Sequence, residues 1–329
     1  MLSNKHNLAL PLAMFLAYDD YDLQVKQENQ LSVTDLLKPT RQLILRNRAE
    51  QSESPEIMDV TSRTASAIGR AIHNAIEDIL LDPVKREKAL KALGTPKRIR
   101  DRIVVNPEGN IAEDALVIYV EQRNHKEIDG YIISGKYDLI CDGQVQDNKS
   151  TGTFTYTNKT KDEDYVLQGS IYRWINPDRI FDDFMAINYL FTDWKKFEQM
   201  QRPDVYPPAD AYTQRFPLMS IQETELYVRS RIREINAYKD KPESELPLCT
   251  DEELWMSETT YKYYADPTKT SGRSTKNFTS PSEAAAYKSK QGKGIVIEVK
   301  GEAKACAYCA GFALCSQKDK LIAEGLLKP

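Results

Sequence analysis

Apolar residues recur at helical spacing in the N-terminal third of the chain. The clearest repeat lies within Thr64–Leu81, where the apolar positions are Ala67, Ile68, Ala71, Ile72, Ala75, Ile76 and Ile79. Pro83 ends this helix, and residues 84–93 predict a shorter helix after it. Residues 31–48 also have a helical pattern, interrupted at Pro39. We therefore predict a helical N-terminal part.

The pattern then changes to short runs rich in valine, isoleucine and tyrosine. In chain order, the predicted elements are strands at 115–122, 130–141 and 145–149, a helix at 164–174 and a strand at 184–191. Asp142-Gly143 separates the second and third strands and is a common hairpin-turn sequence. This order of elements predicts an α/β core over residues 60–200.

The C-terminal part begins after Tyr206-Pro207-Pro208, a sequence typical of a connection. Residues 221–238 predict an amphipathic helix, and the polar sequence beyond it predicts an irregular extension packed against the core. We thus expect three segments, which are a helical N-terminal segment at 1–60, a core at 61–200 and a C-terminal extension at 201–329.

Composition is that of a soluble globular protein. The 329 residues are 41% hydrophobic and 29% charged, with a mean hydropathy of −0.56. No apolar run approaches the roughly 18 residues needed to cross a bilayer. The apolar stretch at 8–17 lacks the basic region and cleavage site of a signal peptide. We expect a cytoplasmic protein with no membrane partner.

Net charge limits the kind of nucleic-acid binding that the chain supports. A charge of −4 and a pI of about 5.7 argue against coating nucleic acid by bulk charge. A local basic groove is still compatible with a negative net charge, because acidic metal ligands elsewhere in the chain lower the net charge. One basic cluster, equally consistent with a solvated surface, consists of Lys97, Arg98, Arg100 and Arg102.

Two acidic residues and a lysine on neighbouring predicted strands suggest metal chemistry. Asp138 and Asp147 converge on one ion if the hairpin pairs in the expected register, and Lys149 points to the same face as Asp147. Phosphodiester hydrolysis needs a cation such as Mg²⁺, which prefers oxygen ligands, and a group that stabilises charge. The acid-x-Lys pattern occurs at least four times, but only Asp147 lies in an apolar strand beside a Gly-x-x-Asp sequence.

Three further residues fit such a site. His73 is one of only three histidines and lies on the helix before the strands, where a nitrogen ligand would complete a metal shell. A lone histidine on a helix is otherwise usually structural. Gln168 and Tyr172 are four residues apart on the next helix, which puts both on one face. We expect them to contact the lysine, a phosphate or a DNA end.

The order of these residues resembles the motif series of RecB-like nucleases in the PD-(D/E)XK superfamily. Within residues 60–195, the series is His73, Asp138, Asp147-x-Lys149 and Gln168-x-x-x-Tyr172. The resemblance implies a restriction-endonuclease-like mixed central sheet flanked by helices. It also implies that the histidine, both acids and the backbone carbonyl of Asn148 bind Mg²⁺ or Mn²⁺. Lys149 would assist the attacking water, and the Gln/Tyr pair would shape the active site.

Five cysteines in a chain without a secretion signal indicate metal ligation rather than disulfides. Three of them have C-x2-C-x5-C spacing, namely Cys306, Cys309 and Cys315. Two thiolates separated by two residues clasp one metal from a turn, and the third adds a ligand. This spacing resembles the C-terminal triplet of iron–sulfur nucleases in the same branch. The resemblance implies a [4Fe–4S] cluster, with Zn²⁺ as the alternative.

The fourth cysteine ligand departs from that family's pattern, which places it before the histidine helix. This chain has no cysteine before Cys141. We assign the role to Cys249, in a polar loop that resembles the segment before the triplet in phage-encoded relatives. Cys141 lies on an apolar strand close to Asp138, and we expect it to belong to the core. The bound group would fasten the C-terminal extension without taking part in chemistry.

The expected function is metal-dependent hydrolysis of single- or double-stranded DNA, in recombination, repair or phage DNA processing. The resemblance favours exonuclease action, while polarity and strand preference stay open. The chain lacks a G-x-x-x-x-G-K-[ST] loop, so unwinding is expected from a separate helicase or recombination protein. Two alternatives stay open, namely a non-catalytic DNA-binding scaffold subunit with the nuclease fold and an unrelated protein that senses redox state at its cysteines.

Overall fold

The computed structural model describes residues 2–18, 27, 29–50 and 58–328. Its α-helices are α1 (Leu10–Ala17), α2 (Val33–Leu36), α3 (Thr40–Glu50), α4 (Thr64–Leu81), α5 (Pro83–Ala92), α6 (Lys97–Arg100), α7 (Thr153–Thr157), α8 (Asp162–Ile175), α9 (Lys196–Gln201), α10 (Ile221–Tyr238), α11 (Pro281–Gln291) and α12 (Ser316–Ala323). Its strands are β1 (Gln30–Ser32), β2 (Ile103–Val105), β3 (Leu116–Ile128), β4 (Tyr131–Cys141), β5 (Gln144–Thr151), β6 (Phe184–Phe191), β7 (Ala211–Pro217), β8 (Thr260–Tyr264), β9 (Lys276–Phe278) and β10 (Ile295–Val299). Short 3-10 helices lie at Val60–Arg63, Glu243–Glu245, Lys304–Tyr308 and Phe312–Leu314.

A mixed sheet is the centre of the fold. Across the described residues it has seven strands in the order β2-β3-β4-β5-β6-β7, with β1 added in parallel beside β4. The β2–β3 and β5–β6 pairs are also parallel, and the other neighbours are antiparallel. Helix α8 packs on this sheet and buries Ile171 and Trp174 completely. The predicted α/β class, with a mixed sheet and flanking helices, is confirmed.

The helices before the sheet largely follow the sequence pattern. Helix α4 has the predicted bounds. Asp82 caps the next helix by accepting hydrogen bonds from two backbone N–H groups, and Pro83 occupies its first position. A proline is favourable there because the first N–H of a helix has no partner within the helix. The helix predicted at 84–93 therefore begins at Pro83.

Residues 31–48 form more than one element. The first residues add strand β1 to the sheet, and Ser32 with Asp35 then forms a capping box that starts the one-turn helix α2. Pro39 separates α2 from α3, as the predicted interruption requires. None of the helices within the described ranges combines the length and the apolar sequence that a membrane-spanning segment needs.

Strand β3 is longer than predicted. It continues six residues beyond Gln122 and pairs with β4 as far as Ile128↔Tyr131. Asp129 and Gly130 both have positive φ and form the tight turn of this hairpin. The polar end of β3 lacked an alternating pattern, so its strand structure depends on pairing with the apolar strand β4.

The C-terminal part is more regular than its polar sequence predicts. Strands β8, β9 and β10 form an antiparallel sheet in the order β10-β8-β9, and α11 packs against it. The aromatic contact between Tyr263 and Tyr287 joins the sheet to the helix, with ring centroids 5.1 Å apart. The prediction of irregular structure here is wrong, because short strands joined by long polar connections leave little periodic signal.

The chain forms two compact units. The first unit is Met1–Leu37 with Glu56–Arg233 and holds the seven-stranded sheet. The second unit is Lys38–Pro55 with Glu234–Pro329 and holds α3, the three-stranded sheet and four of the cysteines. These units do not coincide with the three expected segments, since α3 joins the C-terminal residues.

Candidate functional site

Asp138 and Asp147 lie where strands β4 and β5 separate. The two strands pair from Cys141↔Gln144 to Leu139↔Gln146, and β4 then continues towards its pairing with β1. The next facing positions are Asp138 and Asp147, so two carboxylates meet at the opening between the strands. The Asn148 N–H donates a hydrogen bond of 2.9 Å to Asp138 Oδ2. Asp147 is buried, with 3% of its surface exposed.

His73 reaches this opening from helix α4. Its Nε2 lies 3.0 Å from the carbonyl oxygen of Asn148, and its Nδ1 lies 3.2 Å from Asp138 Oδ2. Nδ1 is buried and has no partner with hydrogen-bond geometry within the described structure. Two ligands bound at right angles to one ion, with bonds of ~2.1 Å, are about 3.0 Å apart. The spacing of Nε2 and the Asn148 oxygen therefore suits two ligands of one cation.

Glu121 is a further acidic residue of the site that the sequence analysis did not identify. It lies on β3 between the pairs Val120↔Leu139 and Gln122↔Tyr137, opposite Asp138. Ligand atoms of His73, Glu121 and Asp138 all lie within 4.8 Å of one another. The signal was present in the sequence, since Glu121 follows an apolar run in a predicted strand. Its place in the site becomes evident only from the pairing of β3 with β4, which puts Glu121 opposite Asp138.

The backbone of Glu121 is unusual for a residue within a strand. Its φ is +52°, in the left-handed region that costs a non-glycine residue about 1–3 kcal/mol. The Lys136 Nζ lies 2.5 Å from Glu121 Oε2, and His73 Nδ1 lies 3.8 Å from Glu121 Oε1. Such strain persists where surrounding contacts hold it, and these two contacts hold the Glu121 carboxylate at the opening.

Lys149 lies on the same face of β5 as Asp147. Its Nζ is 2.6 Å from Asp147 Oδ2 and 6.0 Å from the centre of the Tyr165 ring. The lysine side chain is about a third exposed, whereas Asp147 is buried beneath it. The arrangement places an ammonium group at the edge of the acidic opening, next to the carboxylates.

The charges of the site interact strongly. The carboxylates of Asp138 and Glu121 raise the pKa of His73 to about 10, against the opposing effect of burial. Burial raises the pKa of Asp147 to about 7, although Lys149 acts in the opposite direction. Burial also acts to raise the pKa of Asp138, but the interaction with His73 outweighs it and the pKa falls to about 2. The neighbouring carboxylates thus favour the protonated form of the imidazole.

Gln168 and Tyr172 act on strand β4. The Gln168 amide donates to the Tyr172 hydroxyl at 3.2 Å, and that hydroxyl donates to the Lys136 carbonyl at 2.9 Å. Gly135 lies under the tyrosine, because an added Cβ would meet the Tyr172 ring at 2.8 Å. The glycine of the Gly-x-x-Asp sequence therefore leaves the space that the Tyr172 ring occupies. The pair positions the strand that carries Asp138.

The donor set fits a hard divalent cation. Carboxylate oxygens of Glu121 and Asp138, one nitrogen of His73 and the nearby Asn148 carbonyl are ligands that Mg²⁺ and Mn²⁺ accept. Asp147 lies next to them, but it is outside this group of ligand atoms and its Oδ2 contacts Lys149. The buried His73 Nδ1 faces the Asp138 and Glu121 carboxylates without a hydrogen bond to either. The structure brings together His73, Asp138, Asp147, Asn148 and Lys149, and it adds Glu121 to them.

Four cysteines line a second candidate site, within the second unit. Cys249, Cys306, Cys309 and Cys315 surround a cavity of about 40 Å³. All are free thiols. Burial raises the pKa of Cys249 to about 12, and it also raises the pKa of Cys306 and Cys309. Thiols with a raised pKa become ligands only where a cation favours their ionised form. Among the described residues, the Sγ atoms of these cysteines do not form a group of three within 4.8 Å of one another.

The fourth cysteine is held close to the triplet by a reciprocal contact. The Gln317 amide donates to the Cys249 carbonyl and accepts from the Cys249 N–H, each at 2.9 Å. Cys141 is the last residue of β4 and belongs to the first unit. Cys249 lines the same cavity as the triplet, and its role as the fourth ligand stays a prediction.

Arg41 is a buried cation beside the cysteines. Its Nε donates to Cys315 Sγ at 3.2 Å, and its guanidinium donates to the Leu246 carbonyl and pairs with Glu243. Only 2% of Arg41 is exposed. A guanidinium in this position would favour a thiolate form of Cys315 if the cysteines bound a cation. Helix α3, which carries Arg41, belongs to the same unit as the cysteines.

Together these observations define an α/β protein with a candidate divalent-metal site at the opening of its sheet. No known protein-family profile matches the chain, and no curated protein matches it. A solved structure described as the crystal structure of SSO0001 is similar over 68% of this chain and 84% of that chain. The identity is 14% and the TM-score 0.36. The function is therefore argued from the site.

Proposed function

We propose that this chain is a divalent-metal-dependent DNA nuclease of the RecB-like PD-(D/E)XK type. One observation carries the proposal, which is that His73, Asp138, Asp147, the Asn148 carbonyl and Lys149 meet where β4 and β5 separate. The four donors suit a hard cation, and the lysine adds a positive charge beside them. This combination of groups is what phosphodiester hydrolysis requires.

Each residue has a role in this proposal. A bound Mg²⁺ or Mn²⁺ would supply charge neutralisation at the scissile phosphate and acidify water. Glu121, Asp138, Asp147 and the Asn148 carbonyl would hold it, and His73 would add a nitrogen ligand. Lys149 keeps its proton, because Asp147 raises its pKa against the effect of burial. Its ammonium group is therefore suited to orient water and to stabilise negative charge on the phosphate.

The Gln168–Tyr172 pair has a positioning role in the proposal. Tyr172 packs over Gly135 and holds the Lys136 carbonyl, two residues before Asp138. Lys136 in turn contacts Glu121. The pair would therefore fix the positions of two acidic ligands on adjacent strands.

We also propose that the four cysteines hold a [4Fe–4S] cluster or Zn²⁺ with a structural role. Their cavity lies among α3, the Cys249 loop and the C-terminal triplet, so a bound group would join three separate pieces of the second unit. A cytoplasmic location, where thiols stay reduced, suits this role. Chelation or Cys306→Ser should then raise hydrogen exchange in the second unit while the strands of the first unit stay protected. Unchanged exchange in both units would contradict the structural role.

The nuclease proposal is tested on end-labelled linear and on circular DNA, in single- and double-stranded forms. Wild type is compared with Lys149→Ala in Mg²⁺, in Mn²⁺ and in EDTA. The matched control is Lys195→Ala, since Asp193 and Lys195 repeat the acid-x-Lys pattern on an exposed segment. We expect metal-dependent cleavage that Lys149→Ala abolishes and Lys195→Ala retains, with circles spared if the enzyme is an exonuclease.

Other outcomes separate the alternatives. DNA that is bound but never cleaved by wild type would refute the nuclease and favour a scaffold subunit. Cleavage that survives both Lys149→Ala and EDTA would show that the assigned site is not responsible. Absence of both binding and cleavage, with redox-dependent changes at the cysteines, would favour redox sensing.

A further inference from the structure

The three-stranded sheet and helix of the second unit form a basic module. Residues Thr260–Val299 contain seven lysine or arginine side chains and three acidic ones, a net charge of +4 in a chain whose total is −4. The rest of the chain therefore carries a net charge of −8. A positive module on an acidic chain indicates a surface that meets a negatively charged partner.

The topology gathers most of these cations at one end of the module. Strand β10 begins opposite the last residue of β8, and β9 begins opposite Tyr263. The β8–β9 connection, the last turn of α11 and the turn after it therefore lie at the same end. We call this surface the basic end, and its exposed residues are Lys269, Arg273, Lys276, Lys288, Lys290 and Lys293.

The module holds this end in place. Tyr263 donates a hydrogen bond of 3.0 Å to the Lys293 carbonyl, which fixes the turn after α11 to the sheet. The Lys276 Nζ lies 4.7 Å from the Tyr287 ring centre and 5.1 Å from that of Phe278. These contacts hold the basic end on an ordered base, which lowers the entropic cost of binding.

Few carboxylates neutralise the basic end. Among the described residues, the basic end forms one ion pair, between Lys269 Nζ and Asp266 Oδ2 at 3.7 Å. The basic cluster of the first unit differs, because Lys97 pairs with Asp101, Arg100 with Glu87 and Arg102 with Asp114. Basic side chains that already form ion pairs within the chain contribute little to binding a polyanion. Basic side chains without a carboxylate partner are available to bind it.

We propose that the basic end binds the phosphate backbone of DNA, outside the metal site. The choice of DNA as the polyanion rests on the proposed nuclease function. The charge and the exposure of the six residues are independent of it. Backbone contacts of this kind would hold the substrate regardless of sequence and add affinity through the release of counterions.

The test measures the affinity of the full chain for DNA over a series of salt concentrations. EDTA is present throughout, so that cleavage does not interfere. The variant is Lys288→Gln with Lys290→Gln and Lys293→Gln, three exposed residues outside the catalytic site. The matched control is Lys91→Gln with Lys97→Gln and Arg98→Gln, which removes the same charge from the first unit. Circular dichroism melting checks that both triple variants are folded.

We expect the basic-end variant to bind DNA about tenfold more weakly near physiological salt. The slope of log affinity against log salt should also fall by roughly 2–3, as for three lost phosphate contacts. The control should stay within about twofold of wild type. If the folded basic-end variant had the same DNA affinity and the same salt slope as wild type, the proposal would be overturned. If wild type bound poly-glutamate or anionic vesicles as tightly as DNA, the assignment of the partner to DNA would be overturned.

The two proposals fail in different ways. Salt-sensitive DNA binding that needs the basic end, without any cleavage in Mg²⁺ or Mn²⁺, would refute the nuclease and keep the basic end. Cleavage by wild type together with unchanged DNA binding in the basic-end variant would keep the nuclease proposal and refute DNA binding by the basic end.

Discussion

The His73 Nε2 atom and the Asn148 carbonyl oxygen lie 3.0 Å apart, although 75 residues separate them in the chain. This contact joins helix α4 to strand β5, and the other ring nitrogen faces Asp138 on β4. A single imidazole thus reaches both strands at the point where they separate. Because the carboxylates raise the pKa of His73 to about 10, a cation that binds the imidazole competes with a proton.

Metal binding should therefore depend steeply on pH. His73, with a pKa of about 10, is protonated at pH 8 in the metal-free protein, and Asp147, with a pKa of about 7, is largely ionised. Binding should release about one proton at pH 8 and about two at pH 6, so affinity rises with pH. Calorimetric titration with Mn²⁺ in two buffers of different ionisation enthalpy counts these protons. His73→Ala should lower the count by about one, and a heat that is the same in both buffers would contradict the prediction.

Glu121 should contribute to metal affinity. We expect Glu121→Gln to weaken Mn²⁺ binding by about tenfold or more, because it removes a charged ligand from the group. Glu127→Gln is the matched control, since Glu127 is an exposed residue of the same strand. Isothermal titration of both variants measures the difference. Equal affinity in the two variants would remove Glu121 from the site.

Gly135 and Tyr172 should be energetically coupled. Gly135→Ala brings a methyl group within 2.8 Å of the Tyr172 ring, which should lower the free energy of unfolding by about 1–3 kcal/mol. Gly272→Ala, at an exposed glycine with open space around it, should change it little. In a Tyr172→Ala background the cost of Gly135→Ala should fall in part, since the added Cβ also meets Val33 Cγ2 at 2.8 Å. Denaturant unfolding of the four variants gives the coupling energy. Additive costs would show that the two residues act independently.

Arg41 should be needed for the cysteine site. Arg41→Gln removes the buried cation beside Cys315 and leaves Glu243 without its partner, which should cost about 2–4 kcal/mol of stability. We expect the purified variant to retain less iron or zinc per chain, measured by elemental analysis and visible absorbance. Lys239→Gln serves as the control, because Lys239 is an exposed cation in the same unit. Full metal content in Arg41→Gln would contradict the role given to Arg41.

Elements with a strong local pattern could be predicted from the sequence. Helices α4 and α10 have the predicted bounds because their apolar residues recur at helical spacing. Strand β6 also has the predicted bounds, because it is a short apolar run between polar residues. The Asp142-Gly143 turn then determines the register that brings Asp138 opposite Asp147. The acid-x-Lys spacing places Lys149 on the same face, since strand side chains alternate.

What the sequence did not reveal depends on distant pairing. Glu121 enters the site only because β3 pairs with β4 along its polar half, for which Asp129-Gly130 was the overlooked turn signal. Strands β8 and β9 have five and three residues, too few to show a period. The placement of α3 beside the cysteines depends on contacts across most of the chain, which no local pattern records.

The division of the second unit between two distant stretches of chain has a consequence for synthesis. Arg41 and its partner Cys315 are 274 residues apart. At roughly 5–20 residues per second on the ribosome, α3 waits about 15–55 s before that cysteine is made. The buried Ile44 and Leu45 pack with Leu246, which is made about 200 residues after them, so this part of α3 lacks its native cover for most of that time. Nascent chains stalled in this interval should therefore recruit chaperones at α3, and metal loading at the cysteines can only follow translation of the triplet.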